Sequence, residues 1–142
     1  MTVDSQNHLT GTEFARRMLA DDRASAHLGI RLVRLAPGEA TVAMTVVDFM
    51  TNGHGVTHGG FVFALADTAF AVACNGHGQT TVAAAAAIDF LAPTRIGDEL
   101  TAQAVERARG GRSGIYDVTV RSGDAVVAEF RGNSREIRLR NP

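Results

Sequence analysis

The sequence predicts an α+β fold in which an antiparallel β-sheet wraps around one long central helix. Phe61 to Cys74 is apolar save for Asp67 and Thr68, so a helix there is apolar around most of its circumference, as a helix enclosed by protein is. Four stretches of strand composition follow it and a hairpin pattern precedes it, with Gly, Pro, Asn and Asp at the joins. A sheet packed onto such a helix closes around a single core.

The 142 residues fit a single domain over 1–142, with residues 1–10 expected to be flexible. Apolar residues make up 45% and charged residues 20%, a balance that excludes a disordered chain. A formal net charge of −1 gives no bulk attraction for polyanions, so nucleic acid is not an expected partner. The apolar run is too short to span a bilayer and carries Asp67 midway, so no membrane is expected either. Cys74 is the single cysteine, and Met1 to Leu9 holds no apolar leader core; both point to a reducing, cytoplasmic setting.

Thr10-Gly11-Thr12-Glu13 has the form of a capping box, and Phe14, Met18 and Leu19 recur at helical spacing. Residues 12–21 are therefore predicted to form a short amphipathic helix on the outside. From Leu28 to Val47, alternating segments flank Ala36-Pro37-Gly38-Glu39, where Pro then Gly suit a type II turn, which makes a β-hairpin. Asn52-Gly53-His54-Gly55 forms a glycine-rich loop running into His58-Gly59-Gly60, where the long helix starts; Asn75-Gly76-His77-Gly78 ends it. Strands are predicted over 80–91, 99–109, 113–121 and 125–139 as a meander of consecutive antiparallel neighbours. Ala83 to Ala87 has helical preference, but Thr80-Thr81-Val82 before it and Ile88 and Phe90 after it favour strand.

Chemistry concentrates on the long helix. Asp67 has Phe63, Ala64, Phe70 and Ala71 as its helical neighbours, so no polar stripe accounts for it. Desolvation there raises a carboxyl pKa toward the range of a base; the structural alternative is an acid satisfied by a nearby hydroxyl such as Thr68. His58-Gly59-Gly60 lies where free N–H groups and the helix dipole converge, which suits a developing oxyanion, although the two glycines are equally explained by tight helix–sheet packing. Asn52 and His58 bracket the loop and either position a water or satisfy the loop backbone, His58 as a helix cap.

Asp67 follows Gly59 by eight residues, roughly 12 Å along a helix, too far for both to act on one carbonyl from one chain. Two chains packed about a two-fold axis would share each site. His54 and His58 have metal-ligand spacing, but the glycines around them argue for loop and no glutamate accompanies them, so no metal is expected. No G-x-S-x-G elbow occurs, and Cys74 lacks a partnered histidine and reads as core. Arg107, Arg109 and Arg112 around Gly110-Gly111 either hold phosphates or form a solvated hairpin end.

Asn52-Gly53-His54-Gly55-Val56-Thr57-His58-Gly59-Gly60 followed by Phe63-Ala64-Leu65-Ala66-Asp67-Thr68-Ala69-Phe70-Ala71 resembles the PaaI-like hotdog thioesterases of phenylacetate degradation. The likeness runs from Leu28-Gly29-Ile30 through Ile88-Asp89-Phe90-Leu91-Ala92-Pro93 to the last strands. It implies a hotdog fold, with Asp67 as nucleophile or general base, Gly59 as the amide that polarises the thioester carbonyl, and Asn52 and His58 in support. It implies a homodimer with a continuous sheet, doubled to a homotetramer, with no cofactor and coenzyme A entering as part of the substrate. Gly60, Thr68, Arg109, Arg112 and Ser113 are the expected substrate-binding residues. Some relatives carry a serine or threonine facing the acid where this chain has only Ala83 to Ala87, which leaves water positioning to Thr68 or Thr81, or else less assisted. The expected activity is hydrolysis of (hydroxy)phenylacetyl-CoA or a related aryl or medium-chain acyl-CoA. The alternatives are a non-catalytic acyl-CoA-binding module and a hotdog hydratase or dehydratase.

Overall fold

The computed structural model describes residues 9–138. Helices α1 (Gly11–Ala20) and α2 (Arg23–His27) lead into strands β1 (Arg31–Ala36) and β2 (Glu39–Thr45). Helix α3 (Gly59–Asn75) follows, then β3 (Thr81–Phe90), β4 (Glu99–Gly110), β5 (Ser113–Ser122) and β6 (Ala125–Glu136). The six strands form one antiparallel sheet in the order β1-β2-β4-β5-β6-β3 with α3 laid across it.

The hairpin forms as its turn predicts, since Ala36 pairs with Glu39 and Gly38 adopts φ 74°, which the third position of a type II turn requires. Thr10 caps α1 by accepting from Glu13 N–H at 3.1 Å. The flexibility expected for residues 1–10 falls mainly on residues outside those described, and Thr10 itself is held by this cap. Helix α2 escaped the sequence reading because five residues show no periodicity; its sign was Asp22, whose carboxylate accepts from Ser25 N–H.

The four-strand meander is corrected in one respect. β4, β5 and β6 are consecutive neighbours, but β3 crosses to the far edge and pairs with β6, not β4. Strand order is decided by which edge the chain reaches after α3, and no local pattern encodes it. β3 thus has one free edge, and Val82 to Ala87 are all exposed.

Burial separates two sides of α3. Leu65, Ala66, Ala69, Phe70 and Ala73 are buried against the sheet, where Val42, Leu100, Tyr116 and Phe130 meet them. Each large side chain so buried contributes about 1.5–3 kcal/mol. The helix is not enclosed all round, however: Gly60, Ala64, Asp67 and Ala71, at spacings of three and four, form a stripe that the sheet leaves open.

Candidate active site

The loop before α3 is built around Asn52. Its Oδ1 accepts from His54 N–H at 2.9 Å and from Val56 N–H at 3.3 Å, and its main chain bonds Gly55 and Val56. Its Nδ2 donates to no group among the described residues and is available to a ligand. His54 engages this loop only through its backbone N–H, and no cluster of metal-ligating side chains occurs among the described residues.

His58 is the N-cap of α3: its Nδ1 accepts from Gly60 N–H at 3.1 Å, and its own N–H reaches Met50 O at 2.6 Å. Phe61 N–H bonds back to His58 O at 3.0 Å. The caps so consume the Gly60 and Phe61 amides, while Gly59 N–H has no acceptor among the described residues. The anion-binding end anticipated at His58-Gly59-Gly60 therefore centres on Gly59, and Gly60 serves the cap.

Asp67 sits on the open stripe at mid-helix. Its carboxylate accepts no hydrogen bond among the described residues and keeps solvent contact. Burial raises its pKa above the ordinary carboxylate range, and the nearby Asp22 charge adds to the rise. Thr68 does not satisfy it. The Thr68 hydroxyl bonds Ala64 O at 2.8 Å and Ser25 Oγ at 3.0 Å, and Ser25 Oγ in turn bonds Asp22 at 2.6 Å. That chain ties α2 to α3, so the expectation that Thr68 either satisfies Asp67 or stands free for substrate is corrected to a buried tether. Thr81 donates to Gln79 O at 2.8 Å beyond the end of α3, which puts it roughly 12 Å or more along the helix from Asp67 of the same chain.

Beside Gly59 lies a mostly apolar groove of about 350 Å³, lined by Val62, Phe90, Leu91, Pro93 and Val127 among others. Its walls are fixed: Thr57 N–H bonds Thr94 O at 2.8 Å, the two threonine hydroxyls meet at 2.6 Å, and Leu91 N–H bonds Val127 O at 2.8 Å. Arg109, Arg112 and Ser113 are exposed at the β4–β5 turn, which borders Cys74 and His77 at the other end of α3. In one chain they stand about 24 Å along the helix from Gly59. Arg107 is committed to Asp117 at 2.9 Å. A larger cavity, about 630 Å³, lies near that distant end between α1 and His77 to Gln79.

A single chain thus brings Asn52, His58 and Gly59 together and leaves Asp67, Arg109, Arg112 and Ser113 apart from them. Phe90 and Asn75 were not singled out from sequence: an aromatic in a strand reads as core, and an Asn before Gly reads as turn chemistry.

The model of the Thioesterase superfamily matches residues 54–129, the span from the glycine-rich loop to β6. The chain is 47% identical over 124 residues to acyl-coenzyme A thioesterase PaaI of Escherichia coli K12, covering 87% of this chain and 89% of that protein. The solved E. coli PaaI protein from the phenylacetic acid degradation operon superposes with a TM-score of 0.88 at 44% identity, over 91% of this chain and 94% of that one. A Streptococcus mutans UA159 protein solved with acetyl CoA is similar at a TM-score of 0.74 and 26% identity, over 79% of this chain and 91% of that one. With its six-stranded sheet and central helix, the chain belongs to the thioesterase superfamily as a hotdog-fold enzyme of the PaaI-like kind.

Proposed function

We propose that this enzyme hydrolyses acyl-CoA thioesters, taking (hydroxy)phenylacetyl-CoA or a related aryl or medium-chain acyl-CoA to the free acid and CoA. The observation that carries this reading is Asp67: a carboxylate with no hydrogen-bond partner among the described residues, raised by burial toward the range of a base, on the open stripe of the helix whose first amide likewise has none among them. The name of the E. coli relative and the acetyl CoA held by the S. mutans protein support the substrate class.

In this mechanism the thioester carbonyl accepts from Gly59 N–H, which stabilises the oxyanion as it develops. Asp67 either takes a proton from the attacking water or attacks the carbonyl itself, forming an anhydride that water then opens. The C–S bond breaks, water supplies hydroxyl to the acid, and CoA leaves with the proton. Asn52 Oδ1, accepting from the loop's own amides, and the His58 cap hold the loop and the helix end in register. No metal or redox cofactor takes part, and CoA enters only with the substrate.

Since Gly59 and Asp67 are about 12 Å apart on one helix, the site is shared between two chains. The free β3 edge and the open stripe on α3 give the surfaces for a homodimer, which doubles into a tetramer. The same two-fold brings Arg109, Arg112 and Ser113 of one protomer toward Gly59 of the other, where they suit CoA phosphates. No helix among the described residues is long and apolar enough to cross a membrane, and the enzyme acts in the cytoplasm on this reading.

Release of free thiol from aryl-acetyl, benzoyl and straight-chain acyl-CoA tests the proposal directly. Turnover of an aryl-acetyl thioester that is lost in Asp67→Asn is the expected result. Binding of acyl-CoA without turnover of any member would instead make the chain a binding module.

A further inference from the structure

Gly59 has a neighbour that the mechanism above does not use. A Cβ built on Gly59 would lie 2.9 Å from Phe90 Cζ and 3.2 Å from Cε1, so the tip of the Phe90 ring rests against the glycine whose N–H has no acceptor among the described residues. Phe90 is nonetheless 54% exposed, with its remaining surface open to the groove that Leu91, Pro93 and Val127 line. The backbone on both sides is latched, by Thr57 to Thr94 and by Leu91 to Val127. The position of Phe90 beside Gly59 is thus imposed by the fold, while more than half of its surface is left exposed.

A carbonyl oxygen accepting from Gly59 N–H at about 2.9 Å brings the thioester beside that ring. We propose that Phe90 is the wall that sets how bulky a group the site accepts next to the thioester carbonyl. Phe90 is here a specificity-determining residue, and Asp67 and Gly59 remain the catalytic pair. The same contact gives Gly59 a steric reason to be glycine, besides the close approach of substrate.

The inference rests on the thioesterase reading of Gly59, and the experiment separates the two. Thiol release is measured for a straight-chain acyl-CoA and for its α-branched isomer with wild type, Phe90→Ala and Phe90→Leu. A nonhydrolysable thioether analogue reports binding, and circular dichroism reports folding. The expected result is a ratio of branched to straight kcat/KM that rises about 10-fold or more in Phe90→Ala and less in Phe90→Leu, in the range one or two methylene contacts supply. A ratio unchanged in either folded variant that still turns over the straight substrate overturns the role of Phe90 alone. No turnover of any thioester by wild type overturns the reading of Gly59, and this inference with it. A further arm compares the Tm of Gly59→Ala with that of the double variant Gly59→Ala, Phe90→Ala, each against its Gly59 parent: a loss in the single that disappears in the double shows that the ring is what the new methyl displaces, and an equal loss in both contradicts the contact.

Discussion

The two ends of α3 treat their polar groups in opposite ways. At the C-terminal end the buried and half-buried side chains Asn75, His77, Glu106 and Tyr116 all have partners. Asn75, 2% exposed, donates to Ala71 O and Thr81 O and accepts from Thr81 N–H, at 2.8, 3.0 and 3.0 Å. Glu106 receives Tyr116 and His77, each at 2.8 Å. Burial alone would raise the Glu106 carboxyl, but these two hydrogen bonds together with the electrostatic attraction of His77 and Arg109 outweigh it and hold it below the ordinary glutamate range. Burial pushes the Cys74 thiol up to about 12, which makes it inert core. At the N-terminal end, by contrast, Gly59 N–H and Asn52 Nδ2 lack partners among the described residues, and so does Asp67 midway. A saturated end anchors the helix, and an unsaturated end keeps groups ready for a ligand.

This contrast predicts that substitutions at the open end change activity and substitutions at the closed end change stability. The largest effect is expected for Asp67→Asn, which should lower kcat by about 10²–10⁴-fold while the fold persists, measured by thiol release and circular dichroism. Asn75→Ala should cost about 2–4 kcal/mol of stability in denaturant unfolding, because it orphans the half-buried Thr81 N–H and removes two donated bonds. Tyr116→Phe removes a single hydrogen bond to Glu106 and should cost about 1 kcal/mol, a fall in Tm of about 2–4 °C, with kcat unchanged. His58→Ala removes the cap and should cost about 1 kcal/mol too, yet lower kcat as well, since it loosens the turn that presents Gly59.

The smallest effect sharpens the comparison through pH. The folded-state pKa of Asp67 lies above the ordinary aspartate value, so its protonated form is the one that the folded state favours. Its stabilising contribution is complete below about pH 4 and disappears as pH rises through the raised value. Asp67→Asn should therefore be more stable than wild type at neutral pH, with the Tm difference shrinking as pH falls. Activity should follow the opposite limb, since kcat/KM needs the ionised carboxylate and falls on acidification through that same raised value.

Local chemistry made much of this legible in the sequence. The long apolar run with Asp67 inside it marks α3, and Pro37-Gly38 marks the first hairpin turn to the residue. His58 was open between cap and catalytic support, and its Nδ1 contact to Gly60 makes it a cap. Other features depend on what the chain meets far along the sequence. β3 finds β6 across the sheet, Ser25 finds Thr68 over 43 residues, and Phe90 finds Gly59 because two hydrogen-bonded latches align their backbones. The alanine run of β3 is strand, as its flanks suggested, but only the sheet order reveals that it forms a free edge.

The central claim is that Gly59 of one chain and Asp67 of another complete each site, and mixed subunits test it most directly. Asp67→Ala and Gly59→Pro chains are each expected to be inactive alone. Unfolded together in equal amounts and refolded, half the dimers are mixed, and each mixed dimer holds one site with both native groups and one with neither. Thiol release should then return to about one quarter of the wild-type rate per chain. Recovery of no activity, with mixed dimers demonstrated by mass spectrometry, would contradict a site shared between chains.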